Sequence, residues 1–83
     1  MQQVGQIVRG RVTKLVPFGA FVRIEDRRDG FEGLVHNTEL AAGQVDKPED
    51  IVQVGDDLRV KIIDVDPKRR RITLSRKQAI AAG

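Results

Sequence analysis

The side chains in this sequence that can act on a ligand gather in two stretches. The first is Val16-Pro17-Phe18-Gly19-Ala20-Phe21-Val22-Arg23-Ile24. From Ala20 onward it alternates, with Ala20, Val22 and Ile24 on one parity and Phe21 and Arg23 on the other. A strand sends successive side chains to opposite faces, so the small aliphatic set packs inward and the phenylalanine and arginine face out. A glycine inside such a pattern marks a bulge or a close backbone approach, so parity can break at Gly19. Phe18 and Phe21 then stand on one surface despite their odd spacing. Two exposed rings beside a cation form a platform on which unpaired bases stack. The competing reading is that the rings fill the core, the commoner fate of phenylalanine. The alternation leaves Phe21 open between the two.

The second stretch is Lys68-Arg69-Arg70-Arg71, followed by Ile72-Thr73-Leu74-Ser75 and then Arg76-Lys77. A run of cations is ordinarily a solvated turn, which suffices for Lys68 and Arg69. Arg71 has outward parity beside inward Ile72 and Leu74. A guanidinium so placed can pair bidentately with a phosphate or stack on a base. Lys14 and Arg23 can extend the same basic lane. Asp66 either turns the chain ahead of Pro67 or orients an arginine. His36 is the single histidine. Its ring can stack and its nitrogens can donate, or it can serve as a structural hydrogen-bonder at a strand end.

Enzyme chemistry finds little support. One histidine allows neither a histidine dyad nor a multi-histidine metal site. The acid pairs Glu25-Asp26, Asp56-Asp57 and Asp64/Asp66 are each explained by a turn. Asp64 and Asp66 can share a strand face, but no further ligand set accompanies them. Gly30-x-x-Gly33 lacks the lysine and helix of a phosphate loop. The expectation is a chain with no catalysis, no cofactor and no metal.

These residues need a scaffold of short strands. Residues 6–16, 19–24, 31–36, 58–65 and 70–75 read as strands separated by turn residues. In the first, Val8, Val12 and Val16 take one parity, and Ile7 and Leu15 the other. In the fourth, Leu58, Val60 and Ile62 face in, then the parity slips to Ile63 and Val65, which signals a bulge or bend. Asn37-Thr38-Glu39-Leu40 can start a helical turn with Asn37 or Thr38 as its cap, and Pro48 opens another. Residues 76–83 read as a frayed helical start or a linker. A meander of three strands, a crossing with a short helical insert and a final hairpin predict an all-β fold. It is a five-stranded antiparallel Greek-key barrel of the oligonucleotide-binding type.

At 83 residues the chain is one domain, with its core over about 5–76 and residues 77–83 as tail or linker. It has no cysteine, so no disulfide supports the core. Fifteen basic and 12 acidic residues leave a net charge of only +3, so the placement of charge matters more than its sum. No secretory signal or membrane-length apolar run is visible, which predicts a cytoplasmic protein away from membranes.

An ordered series of short motifs runs through this scaffold. It comprises Gly10-x-Val12, Phe18-Gly19-Ala20-Phe21-Val22, Gly33-Leu34-Val35-His36-x-x-Glu39-Leu40, Val54-Gly55-Asp56, Val65-Asp66 and Arg70-Arg71-Ile72-Thr73-Leu74-Ser75. The series resembles the S1 RNA-binding domain family over nearly the whole chain. Residues 14–21 and 70–78 look most like the tandem repeats of its ribosomal members, in an actinobacterial wording. The resemblance implies a barrel that binds single-stranded RNA through Phe18, Phe21 and His36, with Arg71 or its neighbour Arg70, and the acid Asp66. It further implies mRNA binding in translation initiation by a monomeric domain, with the ribosome and neighbouring repeats as partners. Two other uses of such a barrel stay open: protein docking on the ribosome, and service as the RNA-binding appendage of a ribonuclease such as polynucleotide phosphorylase. The chain departs from the family pattern in a longer segment over 26–31, in Asn37 where an apolar residue is usual, and in Ala41-Ala42-Gly43, which carries no aromatic.

Overall fold

The alternating stretches become five strands: β1 (Ile7–Val16), β2 (Gly19–Ile24), β3 (Glu32–His36), β4 (Asp57–Asp66) and β5 (Arg71–Ser75). Between β3 and β4 lie the one-turn helix α1 (Asn37–Leu40) and a 3-10 turn (Pro48–Asp50), and β5 runs directly into α2 (Arg76–Ala81). This computed structural model describes residues 4–25 and 31–81. Residues 26–30, all but the last of the longer segment expected over 26–31, lie outside the described residues, as do the two chain ends. Pro48 opens the 3-10 turn as expected, where its missing N–H costs nothing. α1 differs from expectation: its cap position is His36, with no side-chain capping bond, because the Asn37 side chain is used elsewhere.

The strands close into a barrel in the order β1-β2-β3-β5-β4. Four of the five pairings are antiparallel, and the fifth, β3 with β5, is parallel. Parity requires this. Directions around a closed ring can alternate throughout only if the strand number is even, so a five-stranded barrel keeps one parallel seam. The expected antiparallel Greek-key barrel is thus present, with one parallel pairing where it closes.

Two bulges set which residues face inward. β1 slips register between Val12 and Lys14, and β4 slips between Ile62 and Asp64. Each inserts one extra residue, Thr13 and Ile63, and reverses the parity beyond it. Val12 and Leu15 therefore both turn to the core, and Val16 turns outward opposite Gly19. This corrects the expected grouping of Val16 with Val8 and Val12. Past the β4 bulge Val65 rejoins the core, while Ile63 is the extra residue rather than an inward one.

The core is the inward set of every strand. Val12, Val22, Val35, Val60, Ile62, Ile72 and Leu74 are fully buried, and Leu40 and Val52 join them from α1 and the segment before β4. Burying one such side chain stabilises the fold by about 1.5–3 kcal/mol. Residues 76–81 form α2, which is bonded to the rest of the domain at its start. Ser75 accepts the backbone N–H of Gln78 at 3.0 Å, which caps α2, and donates its hydroxyl to Glu39 at 2.5 Å. Arg76 Nη1 donates to the Leu40 carbonyl at 2.9 Å, and Ala79 is only 6% exposed.

Candidate nucleic-acid interface

Bulge and register together decide what stands outside the barrel. Cross-strand partners run Lys14–Phe21 from β1 to β2, Phe21–Leu34 to β3, Leu34–Thr73 to β5 and Thr73–Asp64 to β4. All five share the outer face, opposite the row that holds Ala20, Val35 and Leu74 in the core. Phe21 is half-buried in this row, so the alternation placed it correctly on the outside. Leu34 is only 7% exposed although it faces outward, so its neighbours on that face cover it. The hydroxyl of the bulge residue Thr13 lies 3.4 Å from the Phe21 carbonyl and steadies β2 beneath the ring.

Phe18 does not sit on the strand. It occupies the two-residue turn between β1 and β2, and 48% of its surface is exposed. The next residue, Gly19, pairs with His36 at the end of β3. His36 has the outward parity of Leu34, and its ring centroid lies 5.8 Å from that of Phe18 at a 38° tilt. Phe18, His36 and Phe21 thus line one edge of one face. The odd spacing is resolved by the turn, with parity restarting at Gly19. A side chain at Gly19 would run into the Val35 carbonyl and approach the His36 Cα at 3.1 Å, so only glycine lets β2 and β3 meet here.

Asn37 fixes this corner. Its backbone N–H donates to the Phe18 carbonyl at 3.0 Å, and its side-chain Nδ2 donates to the Pro17 carbonyl at 2.9 Å. Its Oδ1 is buried without a hydrogen-bond partner. The sequence offers Asn37 as a helix cap and as a departure from the family pattern, and neither reading contains this role. The signal available was a polar residue one step past the histidine, but its partner lies 20 positions away.

The basic candidates separate into distinct settings. Lys14 and Arg23 are exposed on the outer face, on the row of Phe21 and the next row along. Arg71 is exposed on β5 in the same outer parity as Thr73, with Glu32 and Asp66 as its two cross-strand partners. Arg70 lies in the β4–β5 loop, not on the strand. Its backbone is left-handed (φ 51°), and its carbonyl accepts the Glu32 N–H at 3.0 Å. Asp66 turns the chain: its Oδ1 accepts the backbone N–H groups of Lys68 at 3.1 Å and Arg69 at 3.3 Å. Asp64 shares the outer face with Asp66, yet among the described residues no group of three or more metal-ligating side chains forms.

A half-buried ring, an exposed ring stacked obliquely on an imidazole, and flanking cations can hold unpaired bases and their phosphates. Residues 1–77 match the family model described as the S1 RNA binding domain. The chain belongs to that family. An S1 domain at 63% identity over 76 residues occurs in small ribosomal subunit protein bS1 of Mycolicibacterium smegmatis, covering 92% of this chain and 15% of that protein. Another lies in polyribonucleotide nucleotidyltransferase of Desulfitobacterium hafniense, 48% identical over 81 residues and covering 94% of this chain and 11% of that enzyme. This chain thus spans a small fraction of the curated relatives it matches. Among solved structures, GSP13 from Bacillus subtilis superposes with a TM-score of 0.87 at 35% identity, covering all of this chain and 62% of that one. A chain of the a/eIF2alpha-aDim2p-rRNA complex from Pyrococcus horikoshii superposes at 0.85 with 28% identity, covering 94% of this chain and 46% of that one.

Proposed function

We propose that this S1 domain is a non-catalytic module that binds single-stranded RNA, as one repeat of a bS1-type ribosomal protein that engages mRNA during translation initiation in the cytoplasm. The observation that carries the reading is the exposed Phe18 ring set against His36, beside Phe21 on the same face. Bases stack on Phe18 and Phe21, His36 flanks them, and Lys14, Arg23 and Arg71 meet phosphates. Arg70 reaches the strand from the loop, and Asp66 acts by shaping that loop. The 63% identity to bS1 supports the choice of parent protein. Among the described residues no helix is long and apolar enough to cross a membrane.

Each stacked base contributes roughly 1–3 kcal/mol, so one copy binds weakly and with little sequence preference. Tandem copies raise the effective concentration and supply useful affinity. An amide-shift titration with a short single-stranded RNA, at low and moderate salt, tests the proposal. Shifts should cluster at Phe18, Phe21, His36 and Arg71 and weaken with salt. A null result at millimolar RNA would reassign the face to protein docking on the ribosome.

A second parent has support in the 48% identity to a polyribonucleotide nucleotidyltransferase. The same face would then feed RNA to chemistry held elsewhere in that polypeptide. The sequence of the intact gene decides between the two.

A further inference from the structure

The outer wall of β1 carries a second concentration of charge, of which the aromatic platform uses only Arg23. Arg11 on β1 is the direct cross-strand partner of Arg23 on β2, and Arg9 on β1 is the direct partner of Arg59 on β4. All four arginines are exposed. Like charges placed directly opposite each other on a sheet are destabilising. Two carboxylates accompany them. Asp57 holds Arg11 at 3.3 Å, and Glu25 is tied beside Arg9 by its backbone N–H to the Arg9 carbonyl at 3.0 Å. Among the described residues, four cations here face two anions, an excess of positive charge. An open groove of about 420 Å³ lies over the Arg11/Arg23 pair, lined by Arg11, Thr13, Arg23, Glu25 and Asp57 around Gly10.

This surface is continuous with the platform. Along β1 the outward residues run from Lys14, beside Phe21, to Arg11, beside Arg23, and on to Arg9, beside Arg59. Two residues of strand advance roughly 7 Å, so the guanidinium pairs recur in steps comparable to the phosphate spacing of an extended nucleic-acid strand. Guanidinium groups are suited to phosphate oxygens, and paired ones leave room for a phosphate between them.

We propose that the Arg11/Arg23 and Arg9/Arg59 pairs form a second, phosphate-binding lane that carries the sugar-phosphate backbone of the same single-stranded RNA away from the platform and across β1 to β4. The proposal rests on the RNA-binding reading above and extends it to residues that reading does not need. It assigns Arg9, Arg11 and Arg59 to the RNA backbone without base recognition, so the lane lengthens the site and leaves its sequence preference unchanged.

The test compares two RNAs on the wild-type domain and on an Arg9→Gln/Arg59→Gln variant. One RNA has about 4 nucleotides and one about 12, spanning the 4–16 that a barrel of this kind occupies. Both substitutions lie on the exposed outer wall, and an unchanged amide spectrum elsewhere verifies the fold. The expected result is unchanged affinity for the short RNA and severalfold weaker binding of the long one. The slope of log affinity against log salt for the long RNA should flatten by about 0.7 for each phosphate that is no longer neutralised. Unchanged binding and slope for the long RNA, or equal weakening for both RNAs, would overturn the lane. Weaker binding to polyglutamate with RNA binding intact would also overturn it and assign the wall to an acidic protein. Failure of the platform reads separately: Phe18→Ala would then bind the short RNA as well as wild type, while the arginine variant would still show a flatter salt slope on the long one.

Discussion

Asn37 holds both carbonyls of the turn that presents Phe18, one through its backbone N–H and one through its side-chain Nδ2. The Nδ2 bond to Pro17 also orients the amide, leaving Oδ1 buried and unpartnered. Asn37→Asp replaces that donor with an acceptor facing a carbonyl. It should destabilise the domain by about 1–3 kcal/mol, whereas Asn37→Ala, which also removes the orphan oxygen, should cost about 1 kcal/mol or less. Denaturant midpoints for the two variants check the order. A more stable Asn37→Asp would contradict the bonding described here.

Phe18 and Phe21 differ in burial, which separates their expected effects. Phe18→Ala removes an exposed ring and should change stability by no more than about 0.5 kcal/mol. It should weaken single-stranded RNA binding by roughly 1–3 kcal/mol. Phe21→Ala should cost similar binding and additional stability, because Phe21 is half-buried beside Leu34. Calorimetric melting paired with an RNA titration resolves both quantities. Equal RNA affinity for wild type and both variants would remove the platform from consideration.

Gly19→Ala places a methyl against the Val35 backbone. Backbone cannot rotate away as a side chain can, so β2 and β3 must part at the point that carries His36. Overpacking of this kind costs about 1–3 kcal/mol. For a domain of this size each kcal/mol lowers Tm by about 4–8 °C. The Phe18 and His36 rings should separate at the same time, seen as a changed ring-current shift on His36. A melting temperature and His36 shift identical to wild type would rule this out.

Ser75 joins three elements: it ends β5, caps α2 and donates to Glu39 on α1. Loss of a capping side chain costs about 0.5–2 kcal/mol. In Ser75→Ala, hydrogen exchange should accelerate across α2, while the β1–β2 amides keep their protection. Uniform acceleration over the whole barrel would instead show that α2 is part of the global cooperative unit.

Local signals were readable in the sequence, and long-range ones were not. β2 was legible to the residue, because its alternation is unbroken and glycine marks its start. The slip in β4 was legible because two apolar residues, Ile62 and Ile63, stand side by side. In β1 the corresponding extra residue is Thr13, which looks like an ordinary outward residue, so the parity of Leu15 and Val16 was misread. The start of β5 at Arg71 rather than Arg70 follows from a left-handed backbone at Arg70 that a non-glycine residue does not announce. The docking of α2 depends on Ser75–Glu39 and Arg76–Leu40 bonds between residues 36 apart, which no local pattern contains. The cross-strand arginine pairs on β1 were likewise invisible until register brought them together.

The parallel seam has a consequence for how the domain is made. The face that carries Phe21 and His36 is walled by β2, β3 and β5, and β5 is the last strand synthesised. While residues 71–75 remain inside a translating ribosome, β3 has an unpaired edge and Leu34 lacks Thr73 beside it. Such edges recruit other strands, and nascent chains are exposed to that hazard for as long as the pairing is delayed. Within this domain the wall that carries Phe21 and His36 is therefore the last part to be completed, and a chain stalled before Arg71 would emerge aggregation-prone rather than with that wall partly built.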